Sequence, residues 1–582
     1  MMNLTETEEL LLYHPIQSAG PIPTICDPDG VYPYESFVET FERPSLIKVK
    51  MITMENSSLK VKICPDLGGK VFSLFDKTSD KEILYDSGSV KPVRILPRMA
   101  FLSGGIEVSF PISHTPVQIE SVKFQAKIIN DRIYLWCGEK EVRYGMQWTI
   151  EFSLGEFDHF LTQRSSFYNP TSKSHSWMSW SNAALPVRND TELYFPDGEV
   201  LYHGHEMKTI HWNSEESIRL RNFDHMAGFF WESAATNAFG VFTPSLGTGL
   251  YHISNKKEVP GIKLWTYGIG KDEKWAYNTS LKKESYVEIQ AGPIKDQSIK
   301  EELAPGEEKV YCEYWFPVSE ACKINEMTIP TVNLISQEEI PRFNWTRRAR
   351  IIPWIELLHA FDKETPNELP VPPEPNHNSW PPSGMFELEH ALNWAMKHSD
   401  AYKSDLWNFY LGVWYAGNER FDEGLRILSD VRNDFARIVE ARIYLRNKKL
   451  PLECMKALSK IKIPSLALHP QVIIEKDLAL ELMGEERLDE RNYSLEQLNA
   501  LNDEELIERR CQLLFDQKRY DEAKVLLEST TFSLVHQRYS RTHLWNLINE
   551  KLGGCLSDPL PATLGEDQLA KFGQYRIFDD QE

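Results

Sequence analysis

The sequence predicts a mainly β protein with an α-helical tail: an antiparallel β-supersandwich followed by a C-terminal helical repeat domain. Three observations carry that class. From residue 45 to about 318 the chain reads as short alternating runs separated by turn signals, the pattern of half-buried antiparallel strands. Between Leu369 and Gly384 the run LPVPPEPNHNSWPPSG packs prolines too densely for a helix interior or a central strand. Past Met385 the spacing turns helical, with Leu388, Leu392, Ala395 and Met396 on one face. At 582 residues the chain also exceeds a single core, which stops growing at roughly 250–300 residues.

Taken in order, residues 1–34 are punctuated by Pro and Gly and read as an irregular arm lying against the sandwich. The sandwich occupies 35–320, with strands expected at SLIKVKMITME, SLKVKIC, GKVFSLF, VKFQAKII, DRIYLWCGE, MQWTIEFSL, HFLTQRSSFYN, FGVFTPS, TGLYHIS and GIKLWTYG. Ile133 and Leu135 against Arg132 and Tyr134 illustrate the period of two. Residues 321–384 read as a Pro-rich linker, and 385–582 as tetratricopeptide-like repeats. In the last of these, Leu411–Leu428, Ala441–Leu458 and Arg509–Leu527 echo one another as helix, polar turn and second helix. Such an array offers a concave surface for a protein partner; the reading preferred for so short an array is that it buttresses the sandwich or self-associates.

The formal net charge of −21 argues against nucleic acid and an anionic membrane as partners, both of which need cationic patches, and favours a neutral ligand. The 16 Trp and 23 Tyr suit stacking on the flat faces of sugars, and equally suit a large β core. Residues 1–12 lack a basic start and a long apolar core, and no apolar run spans a bilayer, so a cytoplasmic protein is expected. Eight scattered Cys read as reduced core residues. The chain carries no phosphate-binding loop, GxSxG, HExxH or dinucleotide fingerprint, so no cofactor and no metal are expected.

The most informative stretch is Ser285–Val318, two strands joined by a polar loop with a Pro305-Gly306 turn. Glu288 lies inside its first apolar run, where a carboxylate must find a partner or take a raised pKa. The order Glu288, Gln290, Asp296, Leu303, Pro305, Gly306, Glu307, Trp315 resembles the galactose mutarotase (aldose 1-epimerase) superfamily. Lys60–Asp86 resembles the early hairpin of the same superfamily, with Pro65, the Gly68-Gly69 turn and Leu84-Tyr85-Asp86. The resemblance covers about residues 35–320 and lies nearest a branch that fuses this domain to tetratricopeptide-like helices. It implies a galactose mutarotase-like sandwich, a carbohydrate ligand, and Glu288 as catalytic base.

The same resemblance places the superfamily's general-acid His at Met178, which has no proton to donate. His175, three residues earlier, is the candidate substitute; Trp180, Asn182 and Gln290 are candidate substrate-binding residues. In FLSGGIEVSFPISHTP, Glu107 follows Gly104-Gly105, with His114 nearby, in a segment that borders the sugar pocket in similar proteins; a solvent-facing strand residue is the competing reading of Glu107. His203, His205 and His211 form a cluster whose HxH spacing permits metal but which reads first as pocket lining. Trp231, Lys263, Trp265 and Trp275 complete the candidate substrate-binding set. With Glu288 present and the His absent, the leading expectation is a glycoside hydrolase for a short oligosaccharide using Glu288 and Glu107. A non-catalytic sugar-binding or scaffold protein ranks next, then an aldose epimerase.

Overall fold

The computed structural model describes residues 2–561 and 564, apart from 19, 27–31, 35, 36, 97, 98, 113, 204–206, 297, 298, 499, 500, 502, 531, 533–537, 556 and 557. Every run read as a strand forms one. Among the described residues the strands assemble into two large antiparallel sheets. The first has twelve strands; its path runs Asn3–Tyr13, Ser45–Glu55, Leu59–Cys64, Lys70–Asp76, Ile106–Val108, Ser181–Pro186, Tyr286–Gly292, Gly261–Tyr267, Ala227–Trp231, Gly198–His203, Met207–Trp212. The second has eight strands, with Glu308–Val318 between Leu161–Tyr168 and Thr248–Ser254.

The pleat decides which residues fill the core. In the first sheet Ile106, Ala183, Ile289, Leu264 and Phe229 point toward the second, where Leu135, Ile150, Phe152, Leu250 and Trp315 meet them in one apolar cluster. Their sequence neighbours Glu107, Asn182, Gln290 and Lys263 therefore face away from the core, on a surface that the loops cover.

Two domain readings need correction. Residues 3–13 are not irregular: they form an 11-residue edge strand paired along its whole length with Ser45–Glu55. The charges of NLTETEELLLY are cross-strand partners, Glu6 with Lys50 at 2.7 Å, Glu9 with Lys62 at 2.8 Å, and Glu8 with Lys48. Charged residues on an edge strand also deter edge-to-edge pairing. The segment 321–384 is likewise not a free linker. Its prolines crowd toward its end, and Ile352–Asp362 forms a helix with Pro353 in the first turn, where a missing N–H costs little, and with Trp354 and Leu357 in the main core.

The helical tail pairs Ala401–Gly417 with Phe421–Asp430, and Glu504–Asp516 with Tyr520–Ser529. FDEG and YDEA open the second helix of these pairs the same way, with Arg420 and Arg519 each donating to the Glu three residues on (Glu423 at 2.6 Å, Glu522 at 2.7 Å). Second helices begin at Phe421, Pro451, Leu488 and Tyr520, an uneven spacing around the tetratricopeptide period of about 34 residues. The arm then crosses into this array. Ile22 is buried among Ile438, Leu445 and Val472, and Arg442 donates to the Pro23 carbonyl at 3.3 Å. Tyr32, whose hydroxyl donates to Pro381 at 2.6 Å, fills the space that a side chain at Gly417 would need. The repeats thus hold the sandwich's own N-terminal segment. Among the described residues no helix is long and apolar enough to cross a membrane.

Candidate functional site

The outward face of the twelve-stranded sheet carries a polar row between two aromatic patches. Register alone lines up Glu107 with Asn182, Asn182 with Gln290, and Gln290 with Lys263, on four adjacent strands. Glu288, two residues before Gln290, rises from the same face beside Ala184 and Trp265. The two carboxylates are two strand spacings apart and two residues out of line, which sets their Cα atoms on the order of 12 Å apart and leaves the side chains to converge.

Gly104 and Gly105 let the short strand Ile106–Val108 enter this sheet. Both have positive φ, and a Cβ at Gly105 would lie 2.1 Å from the Val71 carbonyl. The aromatic walls also use close approach. Trp180 lies across Gly261 and Trp265 across Gly228, where a Cβ would strike the indole, and Trp180 also crowds Gly292. Trp180 packs with Met178 and Phe230; on the other side Tyr85 and Tyr267 stack on Tyr286 at 4.8 Å each.

Glu107 is 3% exposed, so it is not a solvent-facing strand residue. Its Oε1 accepts from the Thr115 N–H at 2.9 Å and from Gln118 Nε2 at 2.8 Å, and its Oε2 takes His114 Nδ1 at 3.2 Å. Burial opposes its charge, but His114, the Lys70 ammonium and the Thr115 N–H outweigh burial and hold the carboxyl below the ordinary range. Glu288, 5% exposed, accepts on Oε2 from Gln290 Nε2 at 2.8 Å. Burial raises its pKa, with the Glu107 charge adding to the rise and His114, Lys263 and Lys70 opposing it. One carboxyl is thus favoured as the charged form and the other pushed toward the neutral one.

Cations flank both. Burial brings the Lys70 ammonium down to about 8 against the pull of Glu107 and Glu288, and its Nζ donates to the Leu102 carbonyl at 2.5 Å. Burial also lowers Lys263, with Glu288 and Asp296 opposing. Several polar atoms on this face have no hydrogen-bond partner among the described residues: Trp180 Nε1, both amide atoms of Asn182, Gln290 Oε1 and His203 Nδ1. Buried polar atoms left open in one place can take hydrogen bonds from water or from a ligand. A cleft of about 110 Å³, lined by Leu11, Lys70, Tyr85, Ser103 and Gly104, reaches the edge of this row. A larger one, about 260 Å³, is lined by Leu59, Asp76, His159 and Pro317 and touches none of these side chains.

The structure therefore brings Glu107, Glu288, His114, Asn182, Gln290, Lys263, Trp265, Trp180 and His203 to one face. It separates others. His175 lies in the two-stranded pairing with Glu301–Leu303, its Nε2 at 2.9 Å from Thr171 Oγ1 and its ring against Tyr144, so it does not replace the acid missing at Met178. Trp231 points into the sandwich core beside Phe195 and Trp212, because it follows the outward-facing Phe230 by one residue. His203 and His211 sit at opposite ends of a hairpin, His211 exposed and paired with Glu199 at 2.9 Å. His205 lies outside the described residues, as does the side chain of Trp275. Lys70, Gln118, Tyr85 and Tyr286 belong to the face and were not singled out by sequence; alternation in GKVFSLF and SYVEIQ is the signal that carries Lys70 and Tyr286.

His203 supplies a pH prediction. Burial, aided by the Lys263 charge, brings its ring down to about 3, whereas an unfolded His titrates near ~6.5. Between those values the unfolded chain holds a proton that the folded chain refuses, so this contribution is intact above pH ~6.5 and is lost as pH falls toward 3. His203→Phe is expected to flatten the acid side of the stability profile, read as urea midpoints at pH 7 and pH 5.

Comparison with known proteins agrees with this architecture. A family model described as a domain of unknown function (DUF5107) matches residues 26–318, and a second, described as a C-terminal domain, matches 354–548. The crystal structure of a TPR-domain containing protein from Parabacteroides distasonis is 46% identical, covers 97% of this chain and 98% of its own, and superposes with a TM-score of 0.92. The chain belongs to this DUF5107 family. Over about half its length it is also similar to a putative mutarotase from Salmonella typhimurium (8% identity, 52% of this chain and 97% of that one, TM-score 0.38). A galactose mutarotase-like protein from Clostridium acetobutylicum matches similarly (14%, 46% and 95%, TM-score 0.36). The second family model begins inside the helix Ile352–Asp362, so the family's own boundary falls before the proline run and not after it.

Proposed function

We propose that this protein is a carbohydrate-active enzyme that works by proton transfer at the anomeric centre of a sugar, with Glu288 and His114 as acid and base and Glu107 positioning His114. The observation that carries the reading is the pattern of bonds to Glu107. With Oε1 held by two donors and Oε2 by His114 Nδ1, this carboxylate is fitted to orient an imidazole, whose Nε2 has no hydrogen-bond partner among the described residues. The roles are reversed from those the mutarotase resemblance implies: the base is His114, from a different strand connection than Met178, and the acid is Glu288. In the step itself His114 Nε2 takes the proton of the anomeric hydroxyl while Glu288 gives its proton to the ring oxygen. The C1–O5 bond breaks, an open-chain aldehyde forms, and after rotation about C1–C2 the reverse transfers close the other anomer.

The paired carboxylates favour a second reading, hydrolysis of a glycoside, with Glu288 protonating the leaving oxygen. That reading asks Glu107 to attack or to activate water, work for which its bound oxygens are poorly placed. Exchange NMR on freshly dissolved aldoses, run beside release of aryl from a panel of aryl glycosides, separates the two. Accelerated anomer exchange without aryl release is expected. Aryl release would transfer the assignment to the hydrolase, and silence in both assays across a broad sugar panel would remove the enzymatic reading.

A further inference from the structure

We propose that the sugar carries an anionic group, a carboxylate, sulfate or phosphate, and that the Lys263 ammonium receives it; the proposal rests on reading this face as a sugar site. Lys263 is 4% exposed and projects from Gly261–Tyr267 into the polar row, opposite Gln290 on one side and Phe230 on the other. Among the described residues its Nζ makes no hydrogen bond and no ion pair within 4 Å. Its near contacts are aromatic faces, Phe230 at 4.7 Å and Trp265 at 5.5 Å from the ring centroids.

An ammonium buried this way gives up most of its hydration without a protein anion in contact among the described residues. The two rings offset part of that loss. Methionine has the same reach and would fill the space with none of it, so the charge at this position is unexplained by packing. The acidic groups whose fields reach Lys263 are Glu288 and Asp296. Burial brings Lys263 down to about 7 against their pull, and an anion received beside it would hold the proton on its Nζ. Neighbouring open donors point the same way. Trp180 Nε1 and Asn182 Nδ2 are both buried and unpartnered among the described residues, and can add neutral hydrogen bonds to an oxyanion. The whole-chain charge of −21 does not oppose this at contact, since exposed charges beyond about 8 Å are largely screened at physiological salt.

The test is anomer exchange on four sugars, glucose, glucuronate, glucose 6-phosphate and glucose 6-sulfate, with wild type, Lys263→Met and Lys263→Arg. At least a tenfold preference in kcat/KM for one anionic sugar over glucose is expected in wild type. That preference should collapse in Lys263→Met and persist in Lys263→Arg. Which anion is preferred distinguishes a uronic acid from an ester substrate. Equal treatment of glucose and all three anions by wild type overturns the proposal, as does a preference that survives Lys263→Met. A thermal midpoint in Lys263→Met at or above wild type shows that the variant folds. If no sugar is anomerised, the proton-transfer reading has failed on its own; calorimetric binding of the same four sugars then decides the anion proposal, selective binding lost in Lys263→Met supporting it and absence of selective binding overturning it.

Discussion

Glu288→Gln is expected to lower anomer exchange by about 10²–10⁴-fold, the usual worth of a positioned general acid or base. Gln keeps the size and the contact with Gln290 while abolishing proton transfer, so the loss should fall on kcat and leave KM within a few-fold. His114→Gln should match it. Glu107→Gln is the discriminating variant, since Glu107 is placed to act through His114. Alone it should lower kcat by less than the other two. Combined with His114→Gln it should cost nothing further, because an orienting group is worthless without the ring it orients. An additive double variant would mean that Glu107 touches the substrate itself, and would bring the hydrolase reading back. Circular dichroism and thermal midpoints on each variant separate lost chemistry from lost folding, which matters for Glu107 because three donors converge on it.

The strands were legible because their period of two is forced by one buried face; the ten runs read from sequence all lie in the two sheets. Glu288 and Glu107 were legible for the complementary reason, as carboxylates breaking an apolar run. What alternation does not give is strand order. Nothing local says that Ile106–Val108 sits two strands from Tyr286–Gly292, so whether Glu107 met Glu288 awaited the sheet path. The role of Glu107 was hidden for the same reason: Thr115, Gln118 and His114 return to it through a loop, and only the folded loop brings them onto its two oxygens. Trp231 misled because aromatic type was read without parity, although Phe230 next to it already held the outward position. The arm and the linker were misread because Pro and Gly punctuate the one and Pro the other, while the pairing of Asn3–Tyr13 and the burial of Trp354 are long-range events.

The largest stability effect is expected at the junction of the two domains. Arg348, on the segment leading into Ile352–Asp362, reaches back to the sandwich and donates to Glu139 Oε2 at 2.5 Å and to the Ser121 carbonyl at 2.7 Å, with Glu120 at 2.8 Å. Arg350 pairs with Glu120 at 2.5 Å, and Thr346 donates to Glu139 at 2.7 Å. Glu139 is wholly buried, and burial raises its pKa even with Arg348 present to oppose it. Arg348→Met leaves that carboxylate without its counter-charge, a change that costs about 3–5 kcal/mol when one partner of a buried pair is removed. The deficit should depend on pH in a fixed direction. A carboxyl whose folded pKa is raised adds stability below its unfolded value and forfeits it as pH rises through the folded one, so Arg348→Met should be weakest near neutral pH and recover on acidification toward pH ~4.5. Adding Glu139→Gln removes the stranded charge and should return most of the loss at pH 7 without restoring the arginine. Urea unfolding at pH 5 and pH 7 on the single and double variants measures all three quantities. A loss in Arg348→Met that is the same at both pH values and survives Glu139→Gln would assign the junction's strength to the Ser121 contact and to packing, with the ion pair contributing little.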